Sequence, residues 1–261
     1  MDNKVQSPLN NFEFHVDDGD KWASDFSHRI FKHEPETNRA LLDLLGDIPP
    51  DAYVVDAGAH VGDTGLLMAS QLKILSKRAK VLEVDPDSTK LRFIQNTAGL
   101  SDLDSFVDTV HCALGDGTSS GALDKSLHAG AWYVKDGNDF PIVPLDDIAR
   151  GKAIFLIKLD VEGHEVKALQ GARNVIAHHK PHIMIEVVGS QLARQGDSKS
   201  DIYSFMQSMG YEETWSGGLD VLFTHKRARA TSRGRLLTTC VFAGLVICLA
   251  VVLLAKRYER I

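Results

Sequence analysis

From Ile154 to Leu159 every residue except Lys158 is apolar, and the run then breaks into Asp160-Val-Glu162-Gly-His164-Glu165. A strand that is apolar at successive positions is buried on both faces, the signature of a parallel sheet covered by helices. Gly163 loosens the backbone where a helix must begin, so Asp160, Glu162 and His164 stand at the carboxyl end of that strand. Ligands of open α/β sheets lie at that end. The plainer alternative is an acidic turn that merely favours a helix N-terminus.

Other segments repeat the pattern. Residues 53–56, 80–84, 106–113 and 182–187 read as further strands, and 35–45, 63–75, 164–178 and 202–209 as helices. Residues 210–215 and 219–224, around Ser216-Gly-Gly218, read as a closing antiparallel hairpin. Residues 131–134 and 141–143 are expected to form an inserted hairpin. This order predicts an α/β fold, Rossmann-like, with a seven-stranded, mostly parallel sheet and helices on both faces. Residues 1–33 are polar and unpatterned and read as an N-terminal arm, either mobile or covering the domain, which leaves 34–225 as the domain.

Beyond it, residues 236–255 run for twenty positions without a charge and include twelve Leu, Ile, Val and Phe. As a helix this stretch would span about 30 Å, the thickness of a bilayer's hydrocarbon core. A transmembrane helix is expected there, with 226–235 as a basic linker and 256–261 as a short tail. Lys226, Arg227, Arg229, Arg233, Arg235, Lys256, Arg257 and Arg260 against Glu259 give the last 36 residues a net charge of +7, so a total of −6 leaves −13 on the first 225. Five basic residues before the span and three after it favour a cytosolic body on a tail-anchored chain. The acidic body argues against a nucleic-acid partner. Cys112, Cys240 and Cys248 form no metal or redox spacing, which fits a reducing compartment.

The chemistry is expected at the strand ends. Asp56-Ala-Gly58-Ala59-His60-Val-Gly62 carries a strand into a tight turn and a helix, whose unpaired N–H groups suit an anion. The spacing is G-x-x-x-G, unlike the dinucleotide fingerprint, and it argues against a nicotinamide dehydrogenase. Asp85-Pro86 follows at the end of the second strand, where an acid can hydrogen-bond a ribose diol or simply cap a helix.

Together, D-A-G-A-H-V-G, V-D-P, the A-L-G-D of residues 113–116, I-K-L-D-V-E-G-H-E and I-M-I-E-V resemble, in order, the motifs of FkbM-type methyltransferases. These are S-adenosylmethionine-dependent enzymes of the class I methyltransferase fold, and the resemblance covers residues 34–224. The chain departs from the family's usual pattern with His60 for Asn and Asp85 for Glu. The resemblance implies methyl transfer, usually to an oxygen of a sugar or related hydroxyl acceptor. It implies that Gly58, Ala59, His60 and Gly62 receive the cofactor's carboxylate, with Asp56 near its ammonium, Asp85 on the ribose, and Ala113, Leu114 and Asp116 edging the adenine.

Oxygen is a poor nucleophile until deprotonated, so a base should stand where the acceptor meets the methyl group. Asp160, Glu162, His164 and Glu186 are the candidates, and Asp160 is preferred because it ends the strand beside the glycine turn. Lys158, two residues earlier, reads as the ion-pair partner of a buried carboxylate. A divalent metal on Asp160, Glu162, His164 and Glu186 is the lesser alternative, and no metal site is expected. His178-His-Lys-Pro-His182 reads as solvated histidines at a helix end. A methyltransferase fold kept only as a membrane-tethered scaffold is the competing function.

Overall fold

The structure is a computed structural model describing residues 2–128 and 131–226. In chain order, β1 (Asp2–Gln6), β2 (Glu13–Asp17), α1 (Ala23–Lys32) and α2 (Pro35–Leu44) precede the sheet. Then come β3 (Ala52–Ala57), α3 (Asp63–Ile74), β4 (Lys80–Asp85), α4 (Ser88–Leu100) and β5 (Val107–His111). An insertion follows: β6 (Ala113–Leu114), β7 (Ser119–Asp124), β8 (Tyr133–Asp136), β9 (Phe140–Val143) and α5 (Leu145–Ile148). The chain returns through β10 (Ala153–Leu159), α6 (Glu165–Gln170), α7 (Arg173–His179), β11 (His182–Glu186), α8 (Gly189–Arg194) and α9 (Lys199–Ser208). It closes with β12 (Tyr211–Gly217) and β13 (Asp220–His225).

The main sheet has seven strands in the order β12-β13-β11-β10-β3-β4-β5. The five from β11 to β5 are parallel, and β13 runs antiparallel to both of its neighbours. The chain steps outward from β3 to β5 and then resumes on the other side of β3 with β10, so the connections part between β3 and β10. Successive residues of the apolar strands face opposite cores: Val54 joins the core under α1 to α4, Val55 the core under α5 to α9.

Of the two readings of the N-terminal segment, residues 2–33 take the second and cover the domain. In β2, Phe14 and Val16 alternate with polar residues, and in α1, Phe26 and Ile30 lie four apart; all four are buried in the first core. The strip is fastened by the His15 N–H, which donates to Ser101 Oγ at 2.9 Å. The expected hairpin of 131–134 with 141–143 is also corrected. β7 lies between β9 and β8 and pairs antiparallel with both. Its sequence, Ser-Ser-Gly-Ala-Leu-Asp, has almost no strand-forming residues and hides the strand. The helix expected over 164–178 is two, broken at Gly171, where a Cβ would overlap the Gly115 carbonyl. Among the described residues no helix is long and apolar enough to cross a membrane. The stretch 236–255, with the tail and all of the linker but Lys226, lies outside the described residues.

Candidate active site

The turn after β3 is built for close approach. Gly58, His60 and Gly62 all have left-handed φ, +82°, 50° and +76°. A Cβ on Gly58 would overlap the Asp160 carbonyl, and one on Gly62 would stand 2.7 Å from Ile94 Cγ1. These glycines therefore let the ends of β3 and β10 meet and α3 pack on α4, besides leaving backbone open to a ligand. The His60 N–H donates to Asp85 Oδ2 at 2.9 Å, and the Asp87 N–H donates to Asp85 Oδ1 at 2.7 Å. Asp85 thus ties the glycine turn to the β4–α4 turn, and each oxygen keeps a lone pair for a further donor.

Beneath the turn lies a buried charge cluster. Lys158 Nζ is 3.1 Å from Asp160 Oδ2 and 3.9 Å from Asp56 Oδ1. Burial pulls the Lys158 ammonium down, but Asp160 and Asp56 outweigh it and hold it above its ordinary value. Burial pushes Asp160 up, but Lys158 prevails and holds its carboxylate below the usual range. Asp56, farther from the ammonium, is dominated by burial and pushed up to about 6.

The remaining acids are desolvated with less compensation. Burial, reinforced by Asp160, pushes Glu162 up to about 8 and Glu186 up to about 9. Glu162 has a left-handed φ of 57°, and its Oε2 accepts from Gln191 Nε2 at 2.6 Å. Glu165 turns back to accept the Val161 and Gly163 N–H groups, each at 3.1 Å, and fixes the turn itself. Burial pulls His164 down to about 4 and His60 down to about 3, so both imidazoles are neutral near pH 7.

Two spaces meet over this cluster. An inner cavity of about 690 Å³, partly open to solvent, is bounded by Gly58, His60, Asp85, Ala113, Leu114, Asp160, Glu162 and His164. A polar outer cleft of about 910 Å³ is lined by His60, Asp160, Glu162 and Glu186 among others. His60, Asp160 and Glu162 border both. Asp56, Ala59, Gly62 and Lys158 support the walls without lining them. Asp116 is exposed and stands outside the inner wall. His164 lines the inner cavity and not the outer cleft.

Sequence reasoning missed Arg29, which comes from α1 and lines both spaces. Its Nε lies 3.0 Å from Asp63 Oδ1. The Phe26 and Ile30 spacing in α1 was the available signal. Trp132 was also missed as a wall of the inner cavity, its ring 6.4 Å from that of Trp22, with Lys90 Nζ 4.8 Å from its centroid. Among the described residues no group of three or more His, Cys, Asp or Glu is disposed to hold a metal ion. In the His178–His182 run, His179 Nδ1 accepts the Ile154 N–H at 3.2 Å and the His182 ring packs on Phe155, so these two histidines serve the fold.

Residues 56–213 match the family described as the methyltransferase FkbM domain. Among solved structures, the chain is similar to a methyltransferase FkbM from Methylobacillus flagellatus KT, with 19% identity and a TM-score of 0.47 over 79% of this chain. The match covers 61% of that protein, so the chain spans less than two thirds of its length. A methyltransferase from Geobacter sulfurreducens is similar at 16% identity and TM-score 0.48, over 80% of this chain and 89% of that one. A geranyl diphosphate methyltransferase in complex with SAM is similar at 14% identity and TM-score 0.43, over 84% and 81% of the two chains. The chain matches no curated protein.

Proposed function

We propose that this chain, which belongs to the FkbM methyltransferase family, moves a methyl group from S-adenosylmethionine to a hydroxyl oxygen of a sugar or related acceptor. The observation that carries this reading is the junction of the two spaces at Asp160 and Glu162. One space suits a nucleoside and the other a polar acceptor, and the titratable groups stand between them.

The inner cavity fits the cofactor. Val84, Leu114, Trp132 and Val134 offer an apolar wall to adenine, with the neutral His164, whose Nδ1 is buried without a protein partner, at its edge. Asp85 stands where a ribose diol is held at the second strand end. Arg29 and the glycine turn are left for the amino-acid carboxylate. When bound, S-adenosylmethionine supplies an electrophilic methyl group.

The protein's own contribution is to orient the acceptor and remove its proton. Asp160, held ionised by Lys158, is a weak proton acceptor and a strong orienting charge. Glu162 has the better matched affinity, since burial brings it to about 8, close to the operating range of an efficient base. The acceptor hydroxyl proton passes to the Glu162 carboxylate as the oxygen becomes nucleophilic. This replaces Asp160, preferred from sequence position alone. His164 becomes a cofactor-facing residue.

The apolar stretch 236–255 and its basic flanks support a further part of the reading, a body held on the cytosolic face of a membrane by its C-terminal segment. The experiment for the reaction is incubation of the full chain with methyl-labelled S-adenosylmethionine and a fractionated cell extract. Label in a hydroxyl-derived methyl ether supports it. A folded protein that transfers no label supports the scaffold instead.

A further inference from the structure

We propose that Lys90 is a cofactor-binding residue. With Asp85 it holds the ribose diol of S-adenosylmethionine, the carboxylate accepting from the hydroxyls and the ammonium donating to one of their oxygens. This rests on the methyltransferase reading and adds a residue to its cofactor site.

Lys90 lies in the first turn of α4, the helix that starts just after Asp85. It is 4% exposed and lines the inner cavity together with Asp85 and Trp132. Its Nζ stands 4.8 Å from the Trp132 ring centroid and 5.5 Å from that of Trp22. The rings are themselves fixed, since Trp132 Nε1 donates to the Leu127 carbonyl at 3.1 Å and Trp22 Nε1 to Thr89 Oγ1 at 3.3 Å. An aromatic face attracts a cation but is a poor acceptor, so the two rings set the ammonium's place without using up its three donors.

A buried charge is costly unless the site makes use of it. Neither acid of the β4–α4 turn depends on Lys90 for its orientation. Asp85 is held by the His60 and Asp87 N–H groups, one on each oxygen. Asp87 accepts from the Thr89 N–H at 2.8 Å and Thr89 Oγ1 at 2.7 Å, and its other oxygen lies 3.6 Å from Lys125 Nζ. Of the charges around each, Asp85 nonetheless acts most strongly on Lys90, and Lys90 on Asp85. A diol brings two O–H donors, which the remaining lone pairs of Asp85 can take, and hydroxyl oxygens that still need a donor once water is excluded. The N–H groups next to Asp85 are spent on it. Arg29, the other cation of the cavity lining among the described residues, pairs with Asp63 at 3.0 Å. Lys90 is left as the donor for the ribose.

The test is calorimetric titration of the full, detergent-solubilised chain with S-adenosylhomocysteine and with its 2′-deoxy and 3′-deoxy analogues. Lys90→Met should weaken S-adenosylhomocysteine about tenfold or more, the loss of a charge-assisted hydrogen bond. For the analogue that lacks the hydroxyl served by Lys90, the variant and the wild type should agree within about threefold. A purely structural Lys90 would weaken all three compounds equally. That result, or no loss with S-adenosylhomocysteine, overturns the inference while the methyltransferase reading stands. A wild-type chain that binds none of the three overturns both. Urea unfolding reports whether the variant is folded, and if Lys90→Met is not, Lys90→Gln should show the same pattern with a smaller loss.

Discussion

The main-chain carbonyl of Asp160 fills the space where a side chain at Gly58 would have to stand. The two strands whose ends hold the chemistry thus meet through a residue with no Cβ. Gly58→Ala is expected to force β3 and β10 apart at the point where their connections part. The left-handed φ of +82° adds about 1–2 kcal/mol for any L side chain. The expected outcome is a loss of at least about 2 kcal/mol in urea unfolding, with S-adenosylmethionine binding lost. Retained affinity would show that the turn tolerates the separation.

Lys158 lies between Asp160 and Asp56 at the bottom of the site, only 5% of its side chain exposed. Removing one member of a buried ion cluster strands the others, at about 3–5 kcal/mol. Lys158→Met should show that loss in urea unfolding. Adding Asp160→Asn should recover part of it, since the neutral amide no longer needs a partner. Strict additivity of the two substitutions would deny the coupling.

The proposed role of Glu162 as base carries a pH signature. A base must be unprotonated, and burial has raised this one to about 8. The rate at saturating acceptor should therefore climb as pH rises through about 8 and level off above it. Glu162→Gln should lower kcat by roughly 10²–10⁴ and abolish that limb. Should Asp160→Asn remove the limb instead, Asp160 is the base.

Glu83 is fully buried in the middle of β4 with neither carboxyl oxygen bonded, and a Cβ on Gly65 would overlap it. Burial, with Asp56 and Asp63 nearby, holds its pKa well above the ordinary 4.5. The folded state therefore keeps a proton that the unfolded chain releases above about 4.5. By linkage, the stabilisation is full below that pH and declines as pH rises toward the folded value. Urea unfolding between pH 5 and 8 should show wild-type stability falling more steeply than that of Glu83→Gln. Equal slopes would mean that Glu83 ionises freely.

Much of this architecture was legible because buried parallel strands announce themselves. The strands at 53–56, 80–84, 154–159 and 182–187 carry runs of apolar residues, broken by Glu83 and Lys158, and acids stand at or just past their ends. The pairing of Lys158 with Asp160 followed from a two-residue spacing on one strand face. Residues 2–33 were illegible because their apolar signal is short: two residues in β2 and a few in α1, each meaningful only against a core supplied from far along the chain. Arg29 was lost with them. β7 was hidden by a Ser-Gly-Ala composition whose strand state depends on two flanking strands. Asp116 fits a motif in sequence yet stands exposed, since the short β6 ends at Leu114 and the chain turns outward. The proposed choice of Glu162 over Asp160 as base rests on which carboxylate shares Lys158, a contact that sequence order does not show.

The central claim is that the inner cavity holds S-adenosylmethionine with Asp85 at its ribose end. Calorimetric titration of the folded, detergent-solubilised chain with S-adenosylmethionine tests it most directly. One molecule is predicted to bind per chain, and Asp85→Ala to weaken it by about tenfold or more, the worth of hydrogen bonds to a charged acceptor. No binding to the folded chain, or binding that Asp85→Ala leaves unchanged, would contradict the account.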